Sequence, residues 1–218
     1  YNFPVEISKE ALENVKVSRQ IVDDIVEAEQ ISYGITTGFG KFSDVAISKE
    51  ECRQLQKNLI MSHSCGVGNT LSEEIVRAMM LLRANALSKG YSGIRCETLD
   101  VLISMLNKGV HPIVPEKGSL GSSGDLAPLS HMVLTMLGLG EAIYKGVKME
   151  SKDAMEKAGI KPLEYLGAKE GLALINGTQC MTAVGAITIY DAMNLMKTAD
   201  ISLCLTMEAL NGITCAMD

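Results

Sequence analysis

Four short segments of the sequence carry side chains that could take part in chemistry. A loop rich in glycine and proline ends in a Ser-Ser-Gly segment at residues 122–124, and a second glycine-rich loop begins with Tyr33. His63 follows an apolar helical pattern, and Asn176 forms a polar break between two others. Hydroxyl, phenol, imidazole and amide groups can transfer protons or hydrogen-bond a ligand. Considered alone, the Ser-Ser-Gly segment is better explained as a turn before a helix, Tyr33 as a packed aromatic side chain and His63 as a capping or buried residue.

The composition favours a helical protein and argues against several functional classes. Of 218 residues, 47% are hydrophobic but only 4% are aromatic, and 13 are Met, so aliphatic side chains must fill the core. A net charge of −6 without a basic cluster predicts no nucleic-acid partner. The six Cys form no CxxC pair, so we expect no metal site. No charged-then-apolar leader follows Tyr1, and a reducing cytoplasmic location is expected.

Periodic apolar residues predict an all-α fold with one small β-hairpin. The stretch from 109 to 124 contains two Pro and four Gly, so it is expected to be a loop, and a loop this long is often functional. The hairpin is expected at 142–149. Helices are expected to begin near Ser8, at capping boxes that start with Ser48 and Thr70, near Cys96, after Asp125 as a cap, and at Ser151.

The C-terminal part of the sequence predicts one or two long, mostly buried helices from Asn176 to Leu210. The run from 171 to 190 has 20 residues without a charge, which is long enough to span a bilayer. It contains Asn, Gln and Thr, however, and continues into charged residues. A buried helix of a large bundle therefore explains the run better than a membrane span, and we expect no membrane partner.

Four motifs resemble those of the histidine and aromatic amino-acid ammonia-lyases, in the order in which that family has them. They are YGITTGFG (33–40), LQKNLIMSHSCGVG (55–68), GSLGSSGDLAPLSH (118–131) and KEGLALINGTQ (169–179). A lone Ser-Ser-Gly would carry no information, but the four motifs extend along essentially the whole chain. The resemblance implies a domain at residues 1–165 that holds a prosthetic group, followed at 166–218 by the beginning of a long helical bundle.

The resemblance also implies that the prosthetic group is a methylidene-imidazolone made from the chain itself, with no external cofactor. In the family three consecutive residues cyclise, and by position these are Ser122, Ser123 and Gly124. The amide nitrogen of Gly124 would attack the carbonyl of Ser122, a close backbone approach that favours glycine. Ser123 would lose its hydroxyl as water and leave an exposed methylidene. The family usually has Ala where this chain has Ser122.

Three further residues receive roles from the resemblance. Tyr33 matches the base that removes the β-proton of the substrate, and since a free phenol has a pKa of about 10, the site must favour the phenolate. His63 matches a position facing the substrate ring, which is His in histidine- and tyrosine-directed members and apolar or aromatic in phenylalanine-directed ones. Asn176 matches a residue that contacts the prosthetic group and the amino-acid moiety. The family usually reads Asn-Thr at Thr36-Thr37, and no role is assigned to His131.

The function implied is elimination of ammonia from the small-molecule substrate L-histidine to give urocanate, a step of histidine catabolism. Two other interpretations stay open. One is a tyrosine ammonia-lyase or aminomutase with the same prosthetic group, and the other is a catalytically silent subunit that kept the fold. Family members are longer and form homotetramers, and their C-terminal half supplies a carboxylate-binding Arg. These 218 residues lack that half, so we expect them to be inactive by themselves.

Overall fold

A computed structural model of the protein describes residues 3–38, 49–120 and 124–217, which form a mainly helical fold with two small antiparallel sheets. The prediction of an all-α fold with a minor hairpin is confirmed. The helices are α1 (Lys9–Glu27), α2 (Lys49–His63), α3 (Glu73–Leu87), α4 (Cys96–Lys108), α5 (Leu126–Met136), α6 (Ser151–Lys157), α7 (Glu170–Ile175) and α8 (Gln179–Ala209), with a 3-10 helix at Thr214–Met217. The strands are β1 (Val67–Thr70), β2 (Val110–Pro112), β3 (Pro115–Lys117), β4 (Glu141–Tyr144) and β5 (Val147–Glu150).

Local capping sets the ends of several helices. Ser8 Oγ accepts a hydrogen bond of 3.2 Å from a backbone N–H in the first turn of α1, as its position predicts. Gly109 ends α4 in the left-handed conformation, with φ of 72°. The predicted start of α3 at Thr70 is wrong. Thr70 pairs with Pro115 at the end of β1, and Ser72 is the residue that caps the helix.

Methionine side chains take the place of aromatic ones in the core. Their flexible thioethers can fill irregular spaces between packed helices. Helix α3 packs against both α4 and α8, while α5 and α7 pack against α2. These contacts fix the relative positions of the helices that surround the candidate site. The completely buried methionines are Met79, Met80, Met105, Met132, Met136 and Met155.

The segment predicted to be a loop over residues 109–124 contains two short strands. Strand β2 pairs with β4 and completes a three-stranded sheet in the order β2-β4-β5, so the predicted hairpin is confirmed and gains an unpredicted third strand. Strand β3 pairs with β1. Pro112 and Pro115 suggested irregular backbone, but both lie in edge strands, where the missing N–H is tolerated.

Helix α8 is long and largely uncovered, which corrects the prediction that this region is mostly buried. It has 31 residues, of which Cys180 and Ala183 are buried. Within the described parts of the chain, no helix combines the length and the apolar character needed to cross a membrane. The large apolar side chains that α8 exposes include Ile189, Met193, Leu195, Met196, Ile201, Leu203 and Leu205.

Candidate active site

The Ser-Ser-Gly segment ends at Gly124, which lies against Gly177 of a distant turn. The two glycines form a parallel β-bridge, and the N–H of Asp125 donates to Gly177 O at 2.7 Å. Gly124 has φ of +85°, and a Cβ at this position would overlap the carbonyl group of Gly177. Both the left-handed backbone and the close approach therefore require glycine. The two other residues of the predicted prosthetic group, Ser122 and Ser123, lie outside the described residues.

Asp125 is fully buried, and its carboxylate joins three segments of the chain. The sequence predicted that it caps α5, but its side chain makes no capping hydrogen bond to that helix. Instead Oδ1 accepts a hydrogen bond from Ser119 Oγ at 2.6 Å, and Oδ2 accepts one from the N–H of Met181 at 2.9 Å. Met181 lies in the first turn of α8, where a negative charge is favourable. Asp125 therefore caps α8 from a different part of the chain.

Asn176 is the C-terminal cap of α7 and is exposed to solvent. Its side-chain Nδ2 donates to Leu172 O at 3.4 Å, one turn earlier in the helix. Asn176 directly precedes Gly177, so it lies one residue from the bridge to Gly124. The structure thus brings two of the predicted site residues together, Gly124 and Asn176, from segments that are far apart in the sequence.

Two buried polar side chains hold α7 in place. The carboxylate of Glu170 is completely buried and accepts hydrogen bonds from Arg95 Nε at 2.9 Å and Thr98 Oγ1 at 2.7 Å, both in or next to α4. Gln56 Oε1 accepts a hydrogen bond of 2.8 Å from the N–H of Gly171. Gln56 belongs to α2, the helix that ends with the candidate substrate-binding histidine. The two ends of the site are therefore connected through the first turn of α7.

The polar contacts of His63 orient its ring and are the basis for assigning its tautomer. His63 is the last residue of α2, and its Nδ1 lies 2.9 Å from Leu59 O and 3.0 Å from Ser62 Oγ. We assign the hydrogen to Nδ1, because a carbonyl oxygen can only accept. In the neutral ring Nε2 is then a hydrogen-bond acceptor. This tautomer suits a ligand ring that has an N–H or O–H donor.

His131, to which the sequence assigned no role, links the segment after His63 to α5. Its Nε2 accepts a hydrogen bond of 3.1 Å from the N–H of Gly66. Burial lowers the pKa of His131, which favours the neutral ring that can accept this bond. Strand pairing adds a second link, because Val67 of β1 lies opposite Lys117 of β3. The chain that follows His63 is therefore attached on both sides of the Ser-Ser-Gly segment.

Tyr33 lies on a tight turn after α1, and 56% of its surface is exposed. Thr36 closes this turn, because its Oγ1 donates to Gln30 O at 2.6 Å and accepts from the N–H of Ser32 at 3.0 Å. The threonine at a position where the family usually has Asn thus has a defined structural role. Cys52 of α2 donates from Sγ to the backbone of the same turn at 3.4 Å. This bond attaches the turn that carries Tyr33 to α2, the helix that ends at His63.

Sequence reasoning missed the buried polar residues that connect these elements. The one signal available was a polar residue type within an otherwise apolar helical pattern, which does not reveal the partner. Over residues 3–38, 49–120 and 124–217, no group of three or more His, Cys, Asp or Glu side chains could hold a metal ion. The missed residues are Gln56, Arg83, His131 and Glu170.

Comparison with known proteins places these features in a family. The model of the aromatic amino acid lyase family matches residues 1–218, and the chain belongs to this family. It is 65% identical over 216 residues to a histidine ammonia-lyase of Alkaliphilus oremlandii, which covers 99% of this chain and 42% of that protein. The chain thus spans less than half the length of this relative and corresponds to its N-terminal part.

Solved structures show the same likeness. The crystal structure of histidine ammonia-lyase from Trypanosoma cruzi superposes with a TM-score of 0.90 at 40% identity, covering 99% of this chain and 42% of that one. Tyrosine aminomutase from Streptomyces globisporus superposes with a TM-score of 0.86 at 40% identity, covering 94% of this chain and 38% of that one. The fold is therefore shared by proteins whose names describe different reactions.

Proposed function

We propose that this chain is part of an ammonia-lyase that converts L-histidine to urocanate. The observation that carries the proposal is the bridge between Gly124 and Gly177, which joins the proposed ring-forming segment to Asn176. In a member of the aromatic amino acid lyase family, this pairing supports a site where an electrophile and a substrate-binding amide lie side by side. The 65% identity to a histidine ammonia-lyase supports histidine as the substrate.

The proposed prosthetic group is formed from Ser122, Ser123 and Gly124, without an external cofactor. The backbone of Gly124 fits this role, because its φ of +85° and its contact with Gly177 leave no room for a side chain. A hydrogen bond of 2.6 Å joins Ser119 to Asp125, which lie before and after the proposed ring-forming residues in the sequence. Once formed, the group supplies an electrophile that makes the substrate amine a better leaving group.

Elimination requires a base for the β-proton and a group that holds the amino acid. We propose that the Tyr33 phenolate takes the proton, the C–H electron pair becomes the new C=C bond, and the C–N pair leaves with ammonia. Asn176 is proposed to hold the amino-acid moiety of the substrate. Its attachment to α7, which buried polar residues fix on two sides, supports a rigid position for this amide.

The tautomer of His63 supports a substrate ring with a hydrogen-bond donor. Nδ1 donates to Leu59 O, so Nε2 can accept a hydrogen bond from an imidazole N–H. A tyrosine-directed enzyme is the second candidate, because a phenol O–H is also a donor and the chain resembles a tyrosine aminomutase. Product analysis separates the candidates, since histidine lyase releases urocanate, tyrosine lyase releases an unsaturated phenolic acid, and aminomutase releases a β-amino acid.

We further propose that the active enzyme is a cytoplasmic homotetramer in which other helices cover α8. The apolar side chains that α8 exposes support this proposal, because contiguous apolar surface of this kind drives association. The proposed division of the chain at residue 165/166 separates the part that holds the prosthetic group from the part that begins this bundle. The 218 residues alone are expected not to convert histidine.

Mass spectrometry and product analysis of the complete assembly that contains this chain test the proposal. A peptide spanning residues 118–130 should be lighter by two waters, one lost in ring closure and one lost from Ser123. Histidine should give urocanate and ammonia in equal amounts. An active enzyme with an unmodified peptide would rule out the mechanism. An inactive assembly with an unmodified peptide would identify a silent subunit.

Replacing His63 with Leu should shift substrate preference from histidine toward phenylalanine. The variant removes the acceptor for the substrate N–H, and an unpaired buried donor costs about 1–3 kcal/mol. The ratio of kcat/KM for histidine to that for phenylalanine should therefore fall about tenfold or more. Competition assays with histidine, tyrosine and phenylalanine measure this ratio. Gln54→Leu, an exposed position on the same helix, is the matched control, and an unchanged ranking for His63→Leu would show that His63 is structural.

A further inference from the structure

Arg83 is a buried cation that contacts the turn carrying Asn176. It belongs to α3 and is only 4% exposed. Its Nη1 donates hydrogen bonds to the backbone oxygen of Asn176 and to Gln179 Oε1, both at 2.8 Å. Asn176 is the C-terminal cap of α7, and Gln179 is the first residue of α8. Arg83 therefore ties together the two helix ends on either side of the turn.

The electrostatic environment of Arg83 is unfavourable for a residue that serves only to stabilise the fold. Among the residues that the structure describes, no carboxylate forms an ion pair with it, and its Nε has no hydrogen-bond partner. Burial lowers the pKa of Arg83 to about 10. The buried Glu170, by contrast, is paired with Arg95. Burying a charge without a counter-charge is costly, so the stability of the fold alone does not explain a cation at this position.

Arg83 also confines the glycine that meets the Ser-Ser-Gly segment. A Cβ at Gly177 would overlap both Arg83 Nη1 and the Gln179 side chain. On the other side, Gly177 O accepts the 2.7 Å hydrogen bond from Asp125. Gly177 is thus held between the guanidinium group and the backbone at Gly124. A displacement of the guanidinium group would therefore shift Gly177 and, through it, both the turn that carries Asn176 and the backbone at Gly124.

We infer that Arg83 is a positioning residue, which keeps the Asn176 amide aligned with the ring formed at Gly124. The inference rests on the proposed function, and it requires no contact between Arg83 and the substrate. Without Arg83 the Asn176 side chain is still present, so substrate can bind, but the turn is free to shift. A displacement of about 1 Å can cost roughly 10²-fold in rate. The loss should therefore appear mainly in kcat.

The test compares Arg83→Met and Arg83→Lys with the matched control Arg77→Met in the complete active assembly. Arg77 lies on the same helix, and its Nη1 also donates to a backbone oxygen, Leu106 O at 3.0 Å. Turnover is divided by the fraction of chains whose 118–130 peptide has lost two waters. Arg83→Met should lower kcat for histidine about 10- to 100-fold, with a smaller change in KM. Arg83→Lys, which keeps the charge and a donor, should recover part of this loss, and Arg77→Met should behave as the parent.

Two further readouts separate positioning from general stability. Hydrogen exchange in a peptide spanning residues 176–182 should become faster in Arg83→Met and stay unchanged in Arg77→Met. In an Asn176→Ala background, Arg83→Met should add little further loss, because it acts through Asn176. If the loss of kcat in the double variant equals the product of the losses in the two single variants, the two residues act independently and the inference is overturned. If Arg83→Met does not fold, the same cycle with Arg83→Lys decides the question.

The outcomes also distinguish failure of this inference from failure of the proposed function. Full activity in Asn176→Ala would remove Asn176 from the mechanism and overturn the inference, but the conversion of histidine would leave the proposed function in place, whereas a complete assembly that does not convert histidine would refute the proposed function. Loss of activity in Asn176→Ala, combined with normal kcat in folded Arg83→Met, would leave the proposed function in place and refute the positioning role. A reduced kcat in Arg83→Met that is partly restored in Arg83→Lys supports the inference.

Discussion

Alanine in place of Gly124 should prevent the prosthetic group from forming and leave histidine turnover undetectable. The methyl group would overlap the backbone of Gly177, which cannot move aside as a flexible side chain could. The left-handed backbone, with φ of +85°, adds a strain of about 1–2 kcal/mol. Without the electrophile the loss of rate should exceed the roughly 10⁴-fold upper range of general-base catalysis. Mass spectrometry of the 118–130 peptide should show no loss of two waters.

Gly146→Ala is the matched control for this variant. Gly146 also has a left-handed backbone, with φ of +77°, but no atom lies within 4 Å of where its Cβ would be. This variant therefore carries the backbone strain without the overlap, and it should form the prosthetic group and turn over histidine normally. A Gly124→Ala protein whose peptide has lost two waters would show that the close contact with Gly177 is not needed for ring formation.

Phenylalanine in place of Tyr33 should lower kcat for histidine by about 10²- to 10⁴-fold, the range of general-base contributions. The substitution deletes only the hydroxyl and leaves the turn that Thr36 closes intact. Tyr33 does not belong to the proposed cyclising segment, so the 118–130 peptide should still be lighter by two waters. Separate measurement of ring formation and turnover therefore isolates the proton-transfer step.

Tyr91→Phe is the control for the loss of a tyrosine hydroxyl as such. Tyr91 is 87% exposed, lies in the loop between α3 and α4, and has no role in the proposed mechanism. Removing the Tyr91 hydroxyl should leave kcat and KM for histidine unchanged. Turnover of Tyr33→Phe within a factor of about two of the parent would show that another group removes the β-proton.

The caps show where local sequence was sufficient and where it was not. Ser8 and Gly109 act on backbone groups within their own helix ends, so their positions could be predicted. Asp125 is also a residue type that favours helix caps and it directly precedes α5, yet its carboxylate caps α8. Thr70 likewise had a capping signature but pairs in a strand. In both cases a partner from a distant segment competed with the local interaction and was favoured.

The sequence by itself determined the helical class, the hairpin and the four motifs that identify the family, because these depend on residue types and on neighbours within a few positions. Only the tertiary structure decided which segments meet. The hydrogen bond from Met181 to Asp125 joins residues 56 positions apart, and that from Arg83 to Asn176 joins residues 93 apart. No periodicity or capping pattern encodes such pairs, because they arise when packed helices bring buried polar groups together and each group must find a partner. By contrast, the contact of His63 Nδ1 is with Leu59 of its own helix, whereas the contact between Gly124 and Gly177 joins two distant segments.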